Sequence, residues 1–423
     1  MIFIYFTLPS AMKYKVNHKL YAMHVSVRQK STDNQKIKLE MTNTERYEAR
    51  YQRRKEKRLK KRIENERKLS SFDKAISIDE LTKSFYKCKK GVSWKRSVQN
   101  FEDNLFQNIS ELHSKMIKDN YTTKGYVEFE LWERGKKRKI QACHISERVI
   151  QKSFAENCLE PILNKTLIRN NCASQKGKGT SKALEYFEED LKKAYEKYGR
   201  NFYIIQGDFH NYFPSIPHDK LIEQLDKYFF DERTRFYYRK VINSFYEGDE
   251  CIGLGLGSQV CQNFAVFYPN KLDHYMEQFG SCGRFNDDFY LIVETKQQAK
   301  EILIGIQKIV DELGLELNKK KTKIIKATHS ITYLKTKFNI LENGEILKRP
   351  YRKNITRERR KLKKLKAKLD NGEIEFNDVR TSYNSWKGLL KGKKCYETTK
   401  SMDDLFNKLF IEDWRIEWYE QTG

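Results

Sequence analysis

Apolar residues recur with two different periods along this chain, and the two periods predict different secondary structures. In residues 127–132 apolar and polar side chains alternate, which is typical of a strand. Between residues 75 and 120 the spacing is helical, with candidate core positions at Leu81, Phe85, Val98, Phe101, Leu105 and Ile109. Another helical pattern follows residue 217, at Leu221, Ile222, Leu225 and Phe229. The chain is therefore predicted to combine helices and strands.

Helical spacing returns near the C-terminal end, together with a basic composition. Residues 351–369 hold ten Lys or Arg and the single acid Glu358, with a nearly continuous apolar stripe at Ile355, Leu362, Leu365 and Leu369. The Asp-Asn-Gly run at 370–372 is a helix-stop signal. A second helix is predicted near 379–390, and an aromatic tail follows at 414–419. We expect a helical bundle with basic outer faces.

Two carboxylate motifs stand at the ends of predicted strands. Asp208 closes a short apolar run, and Asp287 and Asp288 follow Asn286 at the tip of a predicted hairpin, where an Asn-Asp pair tolerates a tight turn. Adjacent acids repel each other, so the motif is either a plain solvated turn or a site for a divalent cation with oxygen ligands. If the strands are neighbours in one sheet, three carboxylates can hold two Mg²⁺ ions about 4 Å apart, as in-line phosphoryl transfer requires.

The order of these motifs resembles that of the bacterial reverse transcriptases. The resemblance covers residues 120–345 and rests on segments 135–140, 147–151, 208–218, 253–262, 285–288, 314–324 and 333–338. In chain order these are similar to two parts of the fingers, the first carboxylate motif, the glycine-rich loop, the aromatic-x-Asp-Asp box, the lysine motif and the primer-gripping hairpin. Three departures stand out: the family more often has proline at Gly255 and an apolar residue at Asn286, and Pro269 should kink or shorten the helix after the loop.

The resemblance implies a catalytic role for five residues. Asp208 and Asp287 would hold two Mg²⁺ ions, for which Mn²⁺ can substitute, with the backbone carbonyl of Phe209 as a further ligand and Asp288 assisting. Lys321 would protonate the departing pyrophosphate. The reaction implied is the addition of deoxynucleotides to a primer 3′ end on an RNA template.

The resemblance also implies contacts with the substrates. Arg138 would reach the nucleotide triphosphate, Phe213 would lie beneath its sugar, and Gln259 would touch the template or the nucleotide. Contacts with template or primer would come from Gly257, Ser258, Tyr333 and Leu334. The alternatives are a solvated turn at Arg138, a core role for Phe213, and Tyr212 as the ring beneath the sugar.

Composition agrees with a nucleic-acid partner. The 423 residues carry 83 Lys or Arg against 57 Asp or Glu, a formal charge of +26, which favours a polyanion. The 8 cysteines form no C-x-x-C pair and predict neither a zinc site nor a disulfide framework, as expected for a cytoplasmic protein. Residues 1–8 are apolar but far shorter than the roughly 20 residues of a membrane span, so no membrane partner is expected.

The expected fold is α+β, a right-hand polymerase with fingers, an antiparallel-sheet palm and a helical thumb. Residues 1–40 receive no assignment, and Met12, Met23 and Met41 are alternative start sites. Residues 41–119 are a basic helical extension, 120–345 the fingers and palm, and 346–423 the helical thumb and tail. The basic run within residues 46–68 is either a helix that lies along RNA or a solvated helix without a partner.

The expected function is RNA-directed DNA polymerisation, with an RNA template, a DNA primer and product, and dNTPs as partners. By elimination the sequence resembles the unclassified bacterial reverse transcriptases, so the candidate settings are a retroelement or anti-phage defence, with a dedicated non-coding RNA as a further candidate partner. Two alternatives remain open. One is a non-catalytic RNA-binding protein on a polymerase fold, and the other is an RNA polymerase or a template-free terminal transferase.

Overall fold

The computed structural model describes residues 42–118, 121–122, 125–133, 136–245 and 251–412. The predictions for residues 1–40, for Gly135 and for the aromatic tail at 414–419 lie outside the described residues. The chain divides into two units, Met1–Glu64 and Asn65–Gly423. The described part of the first unit, from residue 43, belongs to one helix, and the strands that the structure describes lie in the second unit.

The elements of the N-terminal half are mainly helical. They are α1 (Asn43–Leu69), α2 (Phe72–Ile76), α3 (Ile78–Lys89), α4 (Arg96–Asp103), α5 (Leu105–Ile117), β1 (Tyr126–Glu133), β2 (Lys136–Cys143), α6 (Ile145–Phe154), α7 (Glu160–Leu163) and α8 (Thr180–Tyr198). The predicted core positions are buried except Leu105, which is half-buried. β1 and β2 pair as a separate antiparallel hairpin, as the alternating pattern predicted.

The C-terminal half contains most of the strands. Its elements are β3 (Tyr203–Asp208), α9 (His218–Asp226), α10 (Glu232–Ile242), α11 (Gln259–Phe267), α12 (Asn270–Met276), β4 (Cys282–Phe285), β5 (Asp288–Val293), α13 (Lys296–Glu312), β6 (Lys323–Lys326), β7 (Ile331–Tyr333), β8 (Thr336–Ile340), β9 (Ile346–Pro350), α14 (Arg352–Asp370), α15 (Phe376–Gly388) and α16 (Tyr396–Asn407). The described sheets are all antiparallel and are combined with many helices, which gives the expected α+β class.

The central sheet has the strand order β4-β5-β3-β6, and each neighbouring pair is antiparallel. Successive side chains of a strand point to opposite faces. Accordingly Ile205 and Leu291 pack into the core cluster that contains α13, whereas Ile204 and Ile292 pack into the cluster that contains Phe187 of α8. Because both faces are covered, β3 and β5 are apolar nearly to the end where their aspartates stand.

A second antiparallel sheet, β7-β8-β9, precedes the C-terminal helices. The helices α14, α15 and α16 share a core of their own, with Leu362, Val379 and Met402 buried. The apolar stripe of α14 is confirmed, because Leu362 is buried and Ile355, Leu365 and Leu369 pack beside it. The helix α16 was not predicted, since its apolar residues Met402, Leu405 and Phe406 are few and lie among acids and threonines.

Two sequence predictions around proline and helix ends have clear outcomes. Pro269 does shorten the helix after the glycine-rich loop, because α11 ends at Phe267 and α12 begins at Asn270. The prediction that Phe229 lies on the helix after Asp208 is wrong, because α9 ends at Asp226. Phe229 is nevertheless buried, so its apolar character reflects packing of the following turn.

All eight cysteines are free thiols, in agreement with the absence of a disulfide framework. Six are buried, Cys395 is half-buried and Cys251 is exposed. Burial raises the pKa of the Cys158 and Cys261 thiols to about 12. Within the residues that the structure describes, no helix combines the length and the apolar composition that a membrane crossing requires.

Gly207→Ala should destabilise the protein, because a Cβ at this position of β3 would lie 2.1 Å from a ring carbon of Phe289. We expect a loss of about 1–3 kcal/mol in the free energy of unfolding, as for an overpacked core. Urea denaturation measures it. The matched control is Gly388→Ala at the end of α15, where no atom lies within 4 Å of the added Cβ. Equal stability of the two variants would contradict the prediction.

Candidate active site

Three carboxylates meet at one end of the central sheet. Asp208 ends β3 and lies directly opposite Asp288, the first residue of β5, in the antiparallel register. Asn286 and Asp287 form the two-residue turn between β4 and β5, and Asn286 takes the positive φ of 54° that asparagine tolerates. The backbone N–H of Phe209 donates to the carbonyl of Asp287 at 3.3 Å. The predicted convergence of the two motifs is therefore present.

The segment between α13 and β6 supplies a cation to this cluster. Lys321 Nζ lies 2.5 Å from Asp208 Oδ2, and Asn318 Nδ2 donates to Asp208 Oδ1 at 3.1 Å. The N–H of Asn318 also donates to the backbone carbonyl of Asp208 at 2.7 Å. Asp208 is 2% exposed, and each of its two carboxylate oxygens contacts one of these side chains.

Burial and mutual repulsion set the charges of the other two aspartates. Burial, and then the charge of Asp208, raise the pKa of Asp287, although Lys321 and Arg138 oppose the shift. Burial, and then the charges of Asp287 and Asp208, raise the pKa of Asp288 to about 7. Partial burial disfavours the charged form of Lys321, but the hydrogen bond to Asp208 and the acid charges prevail and raise its pKa. The cluster therefore carries more negative charge than Lys321 balances.

The donor chemistry of this cluster fits a hard divalent cation. Carboxylate oxygens are the ligands that Mg²⁺ and Mn²⁺ prefer. Among the described residues, no three His, Cys, Asp or Glu side chains already stand in a metal-binding arrangement. The cation that contacts Asp208 in this structure is the ammonium group of Lys321. Burial is the main cause of the raised pKa values of Asp287 and Asp288, and the neighbouring acid charges, which a bound divalent ion would offset, add to it.

The hairpin β1–β2 carries Arg138 towards this cluster. Arg138 lies on β2 opposite Leu131, its side chain is exposed, and its charge acts on Asp287. The hairpin is joined to the glycine-rich loop, because the N–H of Gln141 donates to the carbonyl of Leu256 at 3.2 Å. Arg138 is thus placed where an anionic ligand bound at the carboxylates would be within its electrostatic range.

The turn after β3 presents the ring of Phe213 rather than that of Tyr212. Tyr212 is buried, and its hydroxyl donates to the carbonyl of Ala265. Phe213 is half-buried and packs edge-on against Tyr212, with ring centroids 5.7 Å apart. Its carbonyl accepts from the N–H of Leu254 at 2.9 Å, so the turn and the glycine-rich loop are held together.

The glycine-rich loop is fixed by buried contacts. Ser258 is fully buried; its Oγ accepts from the N–H of Cys261 at 3.1 Å and donates to Gln151 Oε1 at 2.8 Å. The Ser258 hydroxyl therefore caps α11, and the template or primer contact of Ser258 stays a prediction. Gly257 is exposed with a φ of 124°, and Gln259 Nε2 donates to Glu160 at 3.0 Å.

Gly255, where the resembled family more often has proline, meets the ring of Phe245. A Cβ at Gly255 would lie 1.9 Å from a carbon of that ring. The same ring packs on Tyr126 of β1, with centroids 4.3 Å apart. The departure at Gly255 therefore has a structural reason, since the space of a side chain is filled by Phe245.

The hairpin β7–β8 has its turn at Leu334 and Lys335, which have positive φ values of 42° and 62°. Tyr333 is buried, with its ring 4.9 Å from that of Phe187 and 5.2 Å from that of Tyr290. The Tyr333 ring therefore belongs to the core, and the template or primer contact of Tyr333 stays a prediction. Leu334 is half-buried at the turn and stays a predicted contact.

Sequence reasoning missed two residues that support the site, one of which contacts a site carboxylate. Asn318 lies in the lysine motif and bonds both the side chain and the backbone of Asp208, as given above. Arg284 directly precedes the aromatic-x-Asp-Asp segment at 285–288, and no role was predicted for it. It is fully buried and forms a salt bridge with Asp273 of α12. A charged residue inside an otherwise apolar strand was the available signal, because such a group needs a buried partner.

The sequence profile of the reverse transcriptase (RNA-dependent DNA polymerase) family matches residues 122–338. Among the curated proteins, none matches the chain. A structure of telomerase from Candida albicans in complex with a TWJ fragment of telomeric RNA aligns at 12% identity with a TM-score of 0.41, covering 70% of this chain and 60% of that one. An apo telomerase from Candida tropicalis, truncated from its C-terminal domain, aligns at 14% identity with a TM-score of 0.41, covering 58% and 60%.

Binding of Mn²⁺ should weaken as the pH falls from 8 to 6, because Asp288 then holds a proton that the cation must displace. We expect roughly a tenfold loss of affinity per pH unit below the pKa for each proton displaced. Electron paramagnetic resonance of free Mn²⁺, at constant ionic strength, measures the affinity.

The stability of the metal-free protein should change with pH in the opposite direction to its Mn²⁺ affinity. Since the folded-state pKa of Asp288 lies above its ordinary value, its contribution to stability is present at low pH and is lost as the pH rises through about 7. Asp288→Asn is the control and should remove this component from both the binding and the melting curves. Mn²⁺ affinity that does not change between pH 8 and 6 would contradict the assignment.

Proposed function

Because the chain belongs to the reverse transcriptase (RNA-dependent DNA polymerase) family, we propose that it adds deoxynucleotides to a primer 3′ end on an RNA template. The observation that carries the proposal is the cluster of Asp208, Asp287 and Asp288 at the end of β3 and β5, with Lys321 against Asp208. The expected α+β right-hand polymerase fold is confirmed by the family match and the antiparallel sheets.

The division into subdomains is part of the proposal. We assign residues 41–119 to a basic helical extension, 120–345 to the fingers and palm, and the helices from residue 346 to the thumb. The family match supports the middle part alone, since it spans residues 122–338. A separate core shared by α14, α15 and α16 supports an independent thumb.

Asp208, Asp287 and Asp288, with the carbonyl of Phe209, would hold Mg²⁺, for which Mn²⁺ can substitute. Such ions neutralise charge on the phosphates and activate the primer 3′ oxygen. Asp208 stands closest to the protein's own cation, so metal binding would release Lys321 from it. The Lys321 side chain is 53% exposed and its pKa is raised, so it remains a charged donor able to give a proton to the pyrophosphate.

The substrates would contact the loops around these acids. Arg138, on the exposed hairpin, would bind the triphosphate through its planar guanidinium, which suits phosphate oxygens. Phe213 would lie beneath the sugar, Gln259 would act near the template, and Gly257 and Leu334 would approach the nucleic-acid backbone. Each of these roles rests on position in the motif and on the placement described above.

Basic helices at both ends of the described chain support an RNA template and a DNA product as partners. The helix α1 holds 12 Lys or Arg against 5 acids, and α14 holds 10 against 2. The side chains of α1 up to residue 61 are almost all exposed. Contacts of this kind bind phosphates without reading sequence. A dedicated non-coding RNA is one partner they would suit, and a bacterial retroelement or anti-phage defence is the setting that the sequence resemblance suggests.

The non-catalytic alternative is disfavoured by the charges at the site. A protein that only binds RNA has no need of three carboxylates held close together, because they repel phosphate as well as each other. The RNA polymerase and terminal transferase alternatives share these acids, so they are distinguished by substrate.

Primer extension on a defined RNA template, with dNTPs and rNTPs in separate reactions and with a template-free control, tests the proposal. Wild-type protein should incorporate dNTPs on the template. Asp287→Asn combined with Asp288→Asn should lower the rate by roughly 10³-fold or more, about 4 kcal/mol of transition-state stabilisation. The variant should still bind RNA, because its basic helices are unchanged.

The thermal midpoint of this double variant serves as the folding control. It should not fall, since two repelling charges have been removed from a half-buried site. Extension at the wild-type rate by the folded variant would contradict the assignment of the site. Incorporation of rNTPs alone, or without template, would favour the other polymerase classes.

Phe213→Ala should relax the choice of sugar. If the ring excludes a 2′ hydroxyl by collision, the ratio of rNTP to dNTP incorporation should rise tenfold or more, roughly 1.4 kcal/mol of lost discrimination. Single-nucleotide incorporation rates measure the ratio. A core role alone predicts equal losses with both nucleotides and a lower melting temperature. Tyr212→Phe is the matched control, because its ring is buried and should not affect the ratio.

A further inference from the structure

Among the described residues Arg284 is the largest fully buried side chain, and one of its hydrogen bonds reaches the turn that carries Asp287. Its Nε and Nη2 donate to the two carboxylate oxygens of Asp273, each at 2.7 Å. Nη2 also donates to the carbonyl of Val266 at 2.7 Å, and Nη1 donates to the carbonyl of Asn286 at 3.0 Å. One guanidinium therefore joins α11, α12 and the β4–β5 turn.

We propose that Arg284, held by Asp273, is a positioning residue that sets the orientation of Asp287 for metal binding. This inference rests on the proposed function. The carbonyl of Asn286 belongs to the peptide bond that leads into Asp287, so the hydrogen bond from Arg284 fixes the plane of that peptide. Asn286 has a positive φ, which asparagine tolerates, so the hydrogen bond from Arg284 acts on the peptide that follows it.

Stability alone does not account for this arrangement. A buried ion pair is often replaceable by apolar residues of similar volume without loss of stability, because both charges are removed from water at a high cost. Here both carboxylate oxygens of Asp273 accept hydrogen bonds, since Asn171 Nδ2 donates to Oδ2 at 3.3 Å in addition to the two bonds from Arg284. The ion pair therefore orients the guanidinium so that Arg284 also donates to the carbonyls of Val266 and Asn286.

A lysine could not replace the arginine in this role. An ammonium is a compact group on a flexible stem, whereas the guanidinium is a rigid planar fork with five donors. The acceptors of Arg284 lie on three separate elements. A lysine at 284 could keep the charge balance with Asp273, but not the full set of bonds that includes the carbonyl of Asn286.

The test compares Mn²⁺ affinity with fold stability in the full chain. The first variant, Arg284→Met with Asp273→Val, removes both charges; the second, Arg284→Lys, keeps them. The control, Tyr290→Phe, removes a buried hydrogen bond of 2.7 Å to Asp190 from the same strand as Asp288, without touching the turn. Mn²⁺ affinity is measured by electron paramagnetic resonance, the thermal midpoint by circular dichroism, and the Mg²⁺ concentration for half-maximal primer extension in parallel.

We expect both Arg284 variants to bind Mn²⁺ at least tenfold more weakly and to require correspondingly more Mg²⁺, while the control keeps wild-type affinity despite a lower midpoint. Wild-type Mn²⁺ affinity in a folded Arg284 variant would overturn the proposal. An equal loss of Mn²⁺ affinity in Tyr290→Phe would also overturn the proposal, because general destabilisation of the sheet would then be enough to weaken metal binding. If the double variant does not fold, Arg284→Lys decides by the same criterion.

The metal measurement separates this inference from the proposed function. If wild-type protein binds Mn²⁺ but does not extend a primer, the polymerase assignment is contradicted. The Mn²⁺ affinities of the variants then still test the role of Arg284. Wild-type protein that extends a primer, together with Arg284 variants of normal Mn²⁺ affinity, would leave the polymerase assignment intact and refute the positioning role.

Discussion

Repulsion among three carboxylates is the constraint on which the rest of this structure depends. The antiparallel register forces Asp208 and Asp288 to be neighbours, and the turn adds Asp287 beside them. Nothing in an isolated β-hairpin would keep these charges together, since each raises the pKa of the next. The arrangement persists because the strands are buried on both faces and because Lys321 supplies one opposing charge. Packing of the core therefore offsets the free-energy cost of holding three carboxylates close together. This combination is expected of a site that binds a cation.

The loops around the acids are fixed mainly by packing and by bonds to backbone groups. Phe245 fills the space above Gly255 and also packs on Tyr126, so the exposed β1–β2 hairpin and the glycine-rich loop share one aromatic ring. The bond between Gln141 and Leu256 ties the same two segments. A displacement of the β1–β2 hairpin would therefore also displace the glycine-rich loop. The β1–β2 hairpin and the glycine-rich loop are therefore coupled through one shared ring and one backbone hydrogen bond.

Much of the fold and the acids of the site could be predicted because their signals are local. An apolar run that ends in Asp208, and a pair of acids after Asn286, report strand ends directly. Side chains whose role depends on which face they occupy could not be predicted. The Ser258 hydroxyl and the Tyr333 ring look alike in sequence whether they face a ligand or the core, and the structure buries both. Arg284 and Asn318 were missed because their partners lie far away along the chain or in the backbone.

The uneven exposure of the cysteines has a practical consequence for following motion in this molecule. Buried thiols such as Cys158 and Cys261 remain protonated near neutral pH and are shielded from reagents, whereas Cys251 is exposed. Cys251 lies at the start of the glycine-rich segment, and its carbonyl accepts from the N–H of His218 at 3.0 Å. A maleimide fluorophore or a nitroxide added in limiting amount would therefore attach there first in the unmutated chain. Its spectrum would report changes in the surroundings of the loop, for example when RNA is added.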